Sequence, residues 1–445
     1  MKKILLLGAG RSSSSLIRYL FEQSAAQKWQ LTIADASVAL VQDKIKNMAG
    51  VKAVGFDINE HATAKALIAD ADLVISLLPA AIHIKAAEIC LQENKHLITA
   101  SYVSPEMAAL GAQAAAKNLI FLNECGLDPG IDHMSAMQII DQIRKDGGEI
   151  TSFKSFCGGL VAPESDNNPW GYKFTWNPRN VILAGQGTVK YLLEGRYKYL
   201  PYHRLFGSSE NVDVDGYGHF DAYANRDSLS YRSVYGLENI PTILRGTLRK
   251  HGFCNAWNVL VQLGITDDSY LIENVKDLTY AEFISGYLPQ KSAHTSLAVH
   301  LNNALHQIAD SETIRKIKWL GLFDETPIGL DKPSSPAQIL QHLLEQKWKL
   351  ETGDKDMVVM QHQFEYVLDG KHHKLHSSLV SIGQDETYTA MANTVGLPLG
   401  IAAKLILQGK ISQRGVLVPV TPEFYEPILA ELATFGLTFT EKHIA

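Results

Sequence analysis

KILLLGAGRSS, residues 3–13, decides the fold of this 445-residue chain. Lys3–Leu7 is a short apolar run that reads as a strand. Gly8-Ala9-Gly10-Arg11-Ser12-Ser13 follows it as GxGxx, with Ser where a dinucleotide-binding turn expects Gly or Ala. Gly8 permits the tight turn, and Gly10 lets a pyrophosphate approach the backbone at a helix N-terminus. Ser13 is small enough for close packing of helix on strand. A lone GxG says little; one placed between an N-terminal strand and an amphipathic helix says much more.

Outward from that turn, Gln30–Ala34, Val51–Gly55, Asp72–Ser76, Leu97–Ala100 and Ile120–Leu122 read as further strands. The segments between them carry Ala, Leu, Lys and Glu at helical spacing, as in AAIHIKAAEICLQEN at 80–94. Strands alternating with helices predict a parallel sheet covered on both faces, with ligands at the C-terminal strand ends. Asp35 closes the second strand, where a carboxylate accepts both ribose hydroxyls of NAD and repels a 2′-phosphate carrying about two negative charges. NAD is therefore the expected cofactor, while Arg11 and Ser37 beside the adenosine ribose keep NADP as the alternative. The candidate cofactor-binding set is Gly8, Ala9, Gly10, Arg11, Ser12, Asp35, Asp57, Ile58, Ser76, Leu77, Ala100, Leu127 and Thr175. Ser101 and Tyr102 lie on the nicotinamide side, Tyr102 directly before the helix-starting VSPEM.

A chain of this length predicts two or three domains. With 46% hydrophobic and 20% charged residues it has the composition of a soluble globular protein. The net charge of −6 and the lack of any basic run argue against nucleic acid as a partner. Cys90, Cys125, Cys157 and Cys254 are far apart, which fits a reducing compartment rather than a disulfide framework or zinc site. No signal peptide is read before the first strand. VGLPLGIAAKLILQG at 395–409 is expected to be too short and too polar for a membrane span. These features predict a cytoplasmic protein without a membrane partner. His362, His372, His373 and His376 are read as solvated or packing residues, so no metal is expected.

Asn123–Trp176 is unusually rich in Gly, Pro, Asp and Asn, and holds three candidate proton carriers, Asp128, His133 and Cys157. Such a loop caps a domain junction or lines a site. Beyond it, ITSFKSFCGGL at 150–160 reads as a strand and VILAGQGTVKYLLEG at 181–195 as a helix. FDAYANRDSLSYRSVYG contributes Arg226 and Arg232, and ILRGTLRKHGF contributes Arg245 and Arg249. LAVHLNNALHQIA at 297–309 and PAQILQHLLEQKWKL at 336–350 are helical in pattern, and MVVMQHQFEYVL and HKLHSSLVSI are strands of period two.

NECGLDPGIDHMSA, CGGLVAPESDNNPWGYKF, YANRDS, RGTLR and SYVSPEM together resemble the signature of the saccharopine reductases, the glutamate-forming saccharopine dehydrogenases. IKWLGLF, MQHQFEY and ISQRGVLVP extend the likeness over essentially the whole chain. The resemblance implies an α/β protein: a Rossmann doubly wound parallel sheet, an inserted α/β domain for substrate and dimerisation, and a helical subdomain. The expected limits are 1–125 with 392–445 for the first, 126–252 with 353–391 for the second, and 253–352 for the third. It implies a homodimer that interconverts saccharopine with glutamate and 2-aminoadipate semialdehyde on a nicotinamide cofactor. Ala224, Thr175 and Val161 depart from the family's Pro, Ser and Pro without removing a charged group. IADAS at 33–37 departs further, since the fungal NADP-dependent members carry an arginine there.

Saccharopine has three carboxylates, which need cationic partners when buried. Arg226 and Arg245 are the candidates, because a guanidinium fork meets a carboxylate in bidentate fashion. Gly246 and Thr247 add donors, and Ser101 and Tyr102 close the other side. Amine oxidation and imine hydrolysis both move protons. Asp128 is the first candidate carrier, Cys157 the second, and Tyr102 a donor to the carbinolamine oxygen. Two rival readings remain: a dehydrogenase of another opine-type or polyamine secondary amine, and a catalytically silent dinucleotide-binding dimeric scaffold or sensor.

Overall fold

The computed structural model describes residues 1–288, 299, 303 and 309–444. The helix expected over 297–309 falls almost wholly outside the described residues. Two compact units emerge, the first built from Met1–Glu149, Tyr366–His373 and Leu379–Lys442. The second is built from Ile150–Glu365, Lys374–Ser378 and the chain end. The division falls at Glu149/Ile150 rather than the expected 125/126, so the helix Ile131–Lys145 goes with the first unit. Nor do residues 253–352 separate as a third unit.

The first unit is organised by a seven-stranded sheet. Its strands are β1 (Lys3–Leu7), β2 (Gln30–Asp35), β3 (Lys52–Gly55), β4 (Leu73–Ser76), β5 (His96–Thr99), β6 (Ile120–Leu122) and β15 (Gly415–Leu417). Their order is β15-β6-β5-β4-β1-β2-β3, and every pairing is parallel. Read from the other edge this is 3-2-1-4-5-6, the doubly wound order, with the reversal point between β1 and β4. Near-continuous burial of β1 and β4 fits strands covered on both faces. Helices α1 (Ser14–Gln27), α2 (Val38–Ile45), α3 (His61–Ala69) and α4 (His83–Gln92) supply the cover.

The helix Ala390–Leu407 is 18 residues of apolar chain, long enough by length and composition to cross a membrane, and 78% of it is buried inside the protein. It is therefore longer and more apolar than the sequence suggested, and it serves as a core helix. It lies close to α1 because two of its residues lack a side chain. A Cβ on Gly400 would stand 2.4 Å from the Tyr19 ring, and one on Gly396 would stand 2.8 Å from the Leu16 nitrogen.

In the second unit a sheet runs β10 (Glu210–Val214), β11 (Gly218–Ala224), β12 (Thr242–Lys250), β7 (Glu149–Val161), β13 (Asp356–Leu368). A hairpin of β8 (Thr188–Leu193) and β9 (Arg196–Pro201) attaches to β12. The helix expected over 181–195 is thus replaced by a short helix, Pro178–Ile182, and a strand. Gly185 and Gly187 cause the change: both sit at positive φ, +82° and +95°, which ends the helix before the alternating TVKYLL begins. The turn-rich stretch 157–176 also does more than form a loop. Trp170, Tyr172 and Phe174 are fully buried against Phe253, Trp257 and Trp348, mostly edge to face, and make this unit's aromatic core.

Candidate functional site

Gly8 sits at φ +97°, and a Cβ there would stand 3.0 Å from the Leu77 carbonyl oxygen. Only glycine lets the first turn press against the loop after β4. A Cβ on Gly10, by contrast, would meet nothing within 4 Å. Space for a phosphate thus lies directly before the helix Ser14–Gln27 and its short 3₁₀ lead-in at Arg11–Ser13. Ser13 is buried, and its hydroxyl donates back to the Gly10 carbonyl at 2.8 Å. The turn fits a dinucleotide by this cradle. Arg11 is exposed beside it and Ser12 half-buried.

Asp35 does two backbone jobs. One carboxylate oxygen accepts the Ala9 N–H at 2.7 Å and the other accepts the Ser37 N–H at 2.9 Å. Lys44, a residue that sequence reasoning missed, reaches from α2 under the turn. Its ammonium donates to the Gly10 carbonyl and Ser14 hydroxyl at 2.8 Å and to the Ser13 hydroxyl at 3.1 Å. Burial pushes Lys44 down to about 8, against the pull of the Asp35 and Asp43 charges. Asp57 caps its own loop through Asn59, while Ile58 is part of the apolar core. Thr175 belongs to the second unit, buried, with a hydroxyl that meets no partner among the described residues.

At the ends of β4, β5 and β6 the polar side chains form one connected set. Ser76 Oγ lies 2.8 Å from His83 Nδ1, and His83 Nε2 lies 2.8 Å from Ser101 Oγ and 3.2 Å from Thr99 Oγ1. Burial among these uncharged hydroxyls pushes His83 down to about 4. The Tyr102 hydroxyl donates to the Asp128 carboxylate at 3.4 Å. Below them Glu124 accepts the Val103 N–H at 3.0 Å and pairs with His133 at 2.7 Å. Asp132 accepts the Gly130 N–H at 2.6 Å. His133 is fully buried in this support, which ties the 101–103 loop to the GLDPG loop. Tyr102 and Asp128 thus meet through a side-chain hydrogen bond, with Ser101 next to Tyr102 in the chain, Leu127 buried and Ala100 packed beside Gly126.

In the second unit the register aligns Thr247 with Cys157 on β7 and with Tyr223 on β11. Arg245 is buried one step along the same face, its guanidinium 4.1 Å from the Tyr231 ring centre. Gly246 is required by close approach, since a Cβ would stand 2.7 Å from the Phe156 ring. Arg226 is exposed at φ +50° on the loop after β11. Arg249 is 2% exposed, with its guanidinium 5.2–5.8 Å from the Tyr172, Tyr223 and Phe253 ring centres. Its Nε meets no acceptor among the described residues.

Residues 4–122 match the family model described as saccharopine dehydrogenase NADP binding domain, and residues 126–437 match the saccharopine dehydrogenase C-terminal domain. The chain is 34% identical, over its whole length, to saccharopine dehydrogenase [NADP(+), L-glutamate-forming] of Schizosaccharomyces pombe, covering 99% of that protein. It is equally identical to the Saccharomyces cerevisiae protein of the same name, with 100% of both covered. It is also 33% identical to Arabidopsis thaliana alpha-aminoadipic semialdehyde synthase, of which it spans 44%. Among solved structures, apo saccharopine dehydrogenase (L-Glu forming) from Saccharomyces cerevisiae superposes with a TM-score of 0.90 at 33% identity, with both chains fully covered.

These findings overturn the NAD preference expected from Asp35. The matching nucleotide domain is described as NADP binding, and the fungal relatives are named for NADP(+). The physical reason lies in the hydrogen bonds above. Both Asp35 oxygens hold backbone N–H groups, and the Lys44 ammonium offsets its charge. Asp35 is a brace of the turn rather than a carboxylate presented to a ribose. With a doubly wound sheet, a glycine cradle and end-to-end likeness in both halves, the chain belongs to the saccharopine dehydrogenase family.

Proposed function

We propose that this chain is an NADP-dependent, glutamate-forming saccharopine dehydrogenase. It interconverts saccharopine, water and NADP⁺ with L-glutamate, 2-aminoadipate 6-semialdehyde, NADPH and a proton. The observation that carries the reading is full-length likeness to the fungal enzymes of that name, joined to the Tyr102–Asp128 pair at the strand ends.

The Gly8–Ser12 turn holds the pyrophosphate, and Arg11 supplies positive charge for the 2′-phosphate. NADP⁺, when bound, accepts the hydride that leaves the carbon of the secondary amine. Asp128 takes the amine proton first, directly or through one water, because only the neutral nitrogen can push out a hydride. Water then adds to the iminium carbon with loss of a proton to solvent, while a hydrogen bond from Tyr102 holds the carbinolamine oxygen. Asp128 returns its proton to the nitrogen, and the C–N bond breaks as the carbinolamine O–H gives up its own proton to solvent, leaving aldehyde and glutamate. Ser101 donates to a substrate carboxylate. In the second unit Arg226 and Arg245 meet carboxylates, Gly246 and Thr247 add donors, and Cys157 is the reserve proton carrier. The reading includes a cytoplasmic homodimer that uses its second unit for substrate and dimerisation; the net charge of −6 supports a small-molecule enzyme rather than a nucleic-acid binder.

The test is incubation of pure protein with saccharopine and each cofactor while following reduced nicotinamide, with kcat/KM higher for NADP⁺ than for NAD⁺. Absence of turnover would sink the reading. Turnover confined to secondary amines lacking the glutamate moiety would move the chain to the opine class.

A further inference from the structure

We propose that His83 is a positioning residue that fixes the direction of the Ser101 hydroxyl, making Ser101 a hydrogen-bond donor to the substrate. The inference rests on the reading of Ser101 as a substrate-binding group.

His83 is the first residue of α4 and only 4% exposed. Both ring nitrogens face hydroxyls: Ser76 Oγ at Nδ1, and Ser101 Oγ with Thr99 Oγ1 at Nε2. A neutral imidazole has one donor and one acceptor nitrogen, while each hydroxyl can serve either way. The tautomer therefore sets the direction of the two hydroxyls nearest the ring, Ser76 and Ser101, each at 2.8 Å. Thr99 Oγ1 already accepts the Ser101 backbone N–H at 3.2 Å. If Nε2 were the acceptor, the nearer hydroxyl, Ser101 at 2.8 Å against Thr99 at 3.2 Å, would give its proton to the ring, and Ser101 could offer a substrate only lone pairs. A carboxylate needs the opposite. The arrangement that serves it runs from Ser76 O–H into Nδ1, from Nε2–H into Ser101 Oγ, and from Ser101 O–H to the ligand. One buried ring thus couples the end of β4 to the loop that follows β5, with no charge introduced between them.

Two side-chain amides dissect the ring. His83→Asn keeps a polar group near Nδ1 and loses the one at Nε2; His83→Gln reaches the Nε2 position. With saccharopine and NADP⁺, His83→Asn is expected to raise the saccharopine KM roughly tenfold and leave the NADP⁺ KM within about twofold. His83→Gln is expected to restore it. Ser101→Ala should match His83→Asn, and the double variant should be no worse than Ser101→Ala alone. Parental KM in His83→Asn, or full additivity with Ser101→Ala, overturns the proposal. Parental KM in Ser101→Ala overturns it differently, by removing Ser101 from the site. The unmodified enzyme gives an independent reading: ¹⁵N shifts of the His83 ring, assigned by their loss in His83→Gln, should show protonated Nε2 and bare Nδ1. Protonated Nδ1 overturns the proposal whatever the variants do.

Discussion

Asp128 and Tyr102 make the sharpest residue-scale prediction. Asp128→Asn should lose roughly 10²–10⁴ in kcat while NADP⁺ binding and melting temperature hold. Near-parental kcat with an unchanged pH profile would show that substrate and water manage their own protons. Arg226→Ala should cost on the order of 2–4 kcal/mol of transition-state binding, read from kcat/KM for saccharopine; matching kinetics would remove Arg226 from the site. His83 adds a pH effect. Its folded value of about 4 lies below the ordinary 6.5, so the stability it contributes is complete above pH 6.5 and lost as pH falls toward 4. Urea midpoints across that window should fall less steeply for His83→Gln than for the parent, and parallel slopes would refute the linkage. Asp128, Tyr102 and Ser101 were named from the GLDPG and SYVSPEM motifs, and the structure sets the Tyr102 hydroxyl 3.4 Å from the Asp128 carboxylate. Asp35 was misread because its decisive partner, the Ala9 N–H, lies 26 residues away. His83 was invisible for the same reason, as a histidine at the start of a helix says nothing of the hydroxyls it will meet.

Elements were legible wherever their signals were local. The six β-strands before Asn123 fall within a residue or so of their expected positions, since each is an apolar run between turns. The segment 181–195 failed because its apolar spacing suits a helix, while Gly185 and Gly187 take left-handed backbone that pattern alone does not reveal. The helix Ala390–Leu407 was underread since Pro398 and Lys404 looked like interruptions, yet the helix continues through both. Its glycines make it testable. Gly400→Val would push two methyl groups into the Tyr19 ring and should destabilise by about 1–3 kcal/mol or more. A melting temperature equal to the parent's would show that α1 can yield. In the second unit, Trp348→Ala should cost about 3–5 kcal/mol, as it opens a cavity among Trp170, Tyr172, Phe174, Phe253 and Trp257. Denaturant unfolding measures it; a loss below 1 kcal/mol would mean that the aromatic cluster closes up.

Over the whole molecule, both units are assembled from chain segments far apart in sequence. The order from β3 through β6 could be argued from successive local crossovers, but the place of β15 could not. Gly415–Leu417 lies beside Ile120–Leu122 only after everything between them has been made. The helix Pro422–Thr434 then joins the helix Ile131–Lys145, with the Tyr425 hydroxyl donating to Asp141 at 2.8 Å. A chain stopped after Gly409 should therefore give much less soluble, non-aggregated protein by size-exclusion chromatography than the full chain, and an equal yield would show that the β6 edge can be left bare. The late strand also bears on biogenesis. While the ribosome is still translating the middle of the message, the emerging sheet has a naked β6 border with unsatisfied peptide groups. Prematurely terminated products would carry that adhesive border permanently, which leaves the nascent chain open to aggregation until Gly415–Leu417 has emerged to cover it.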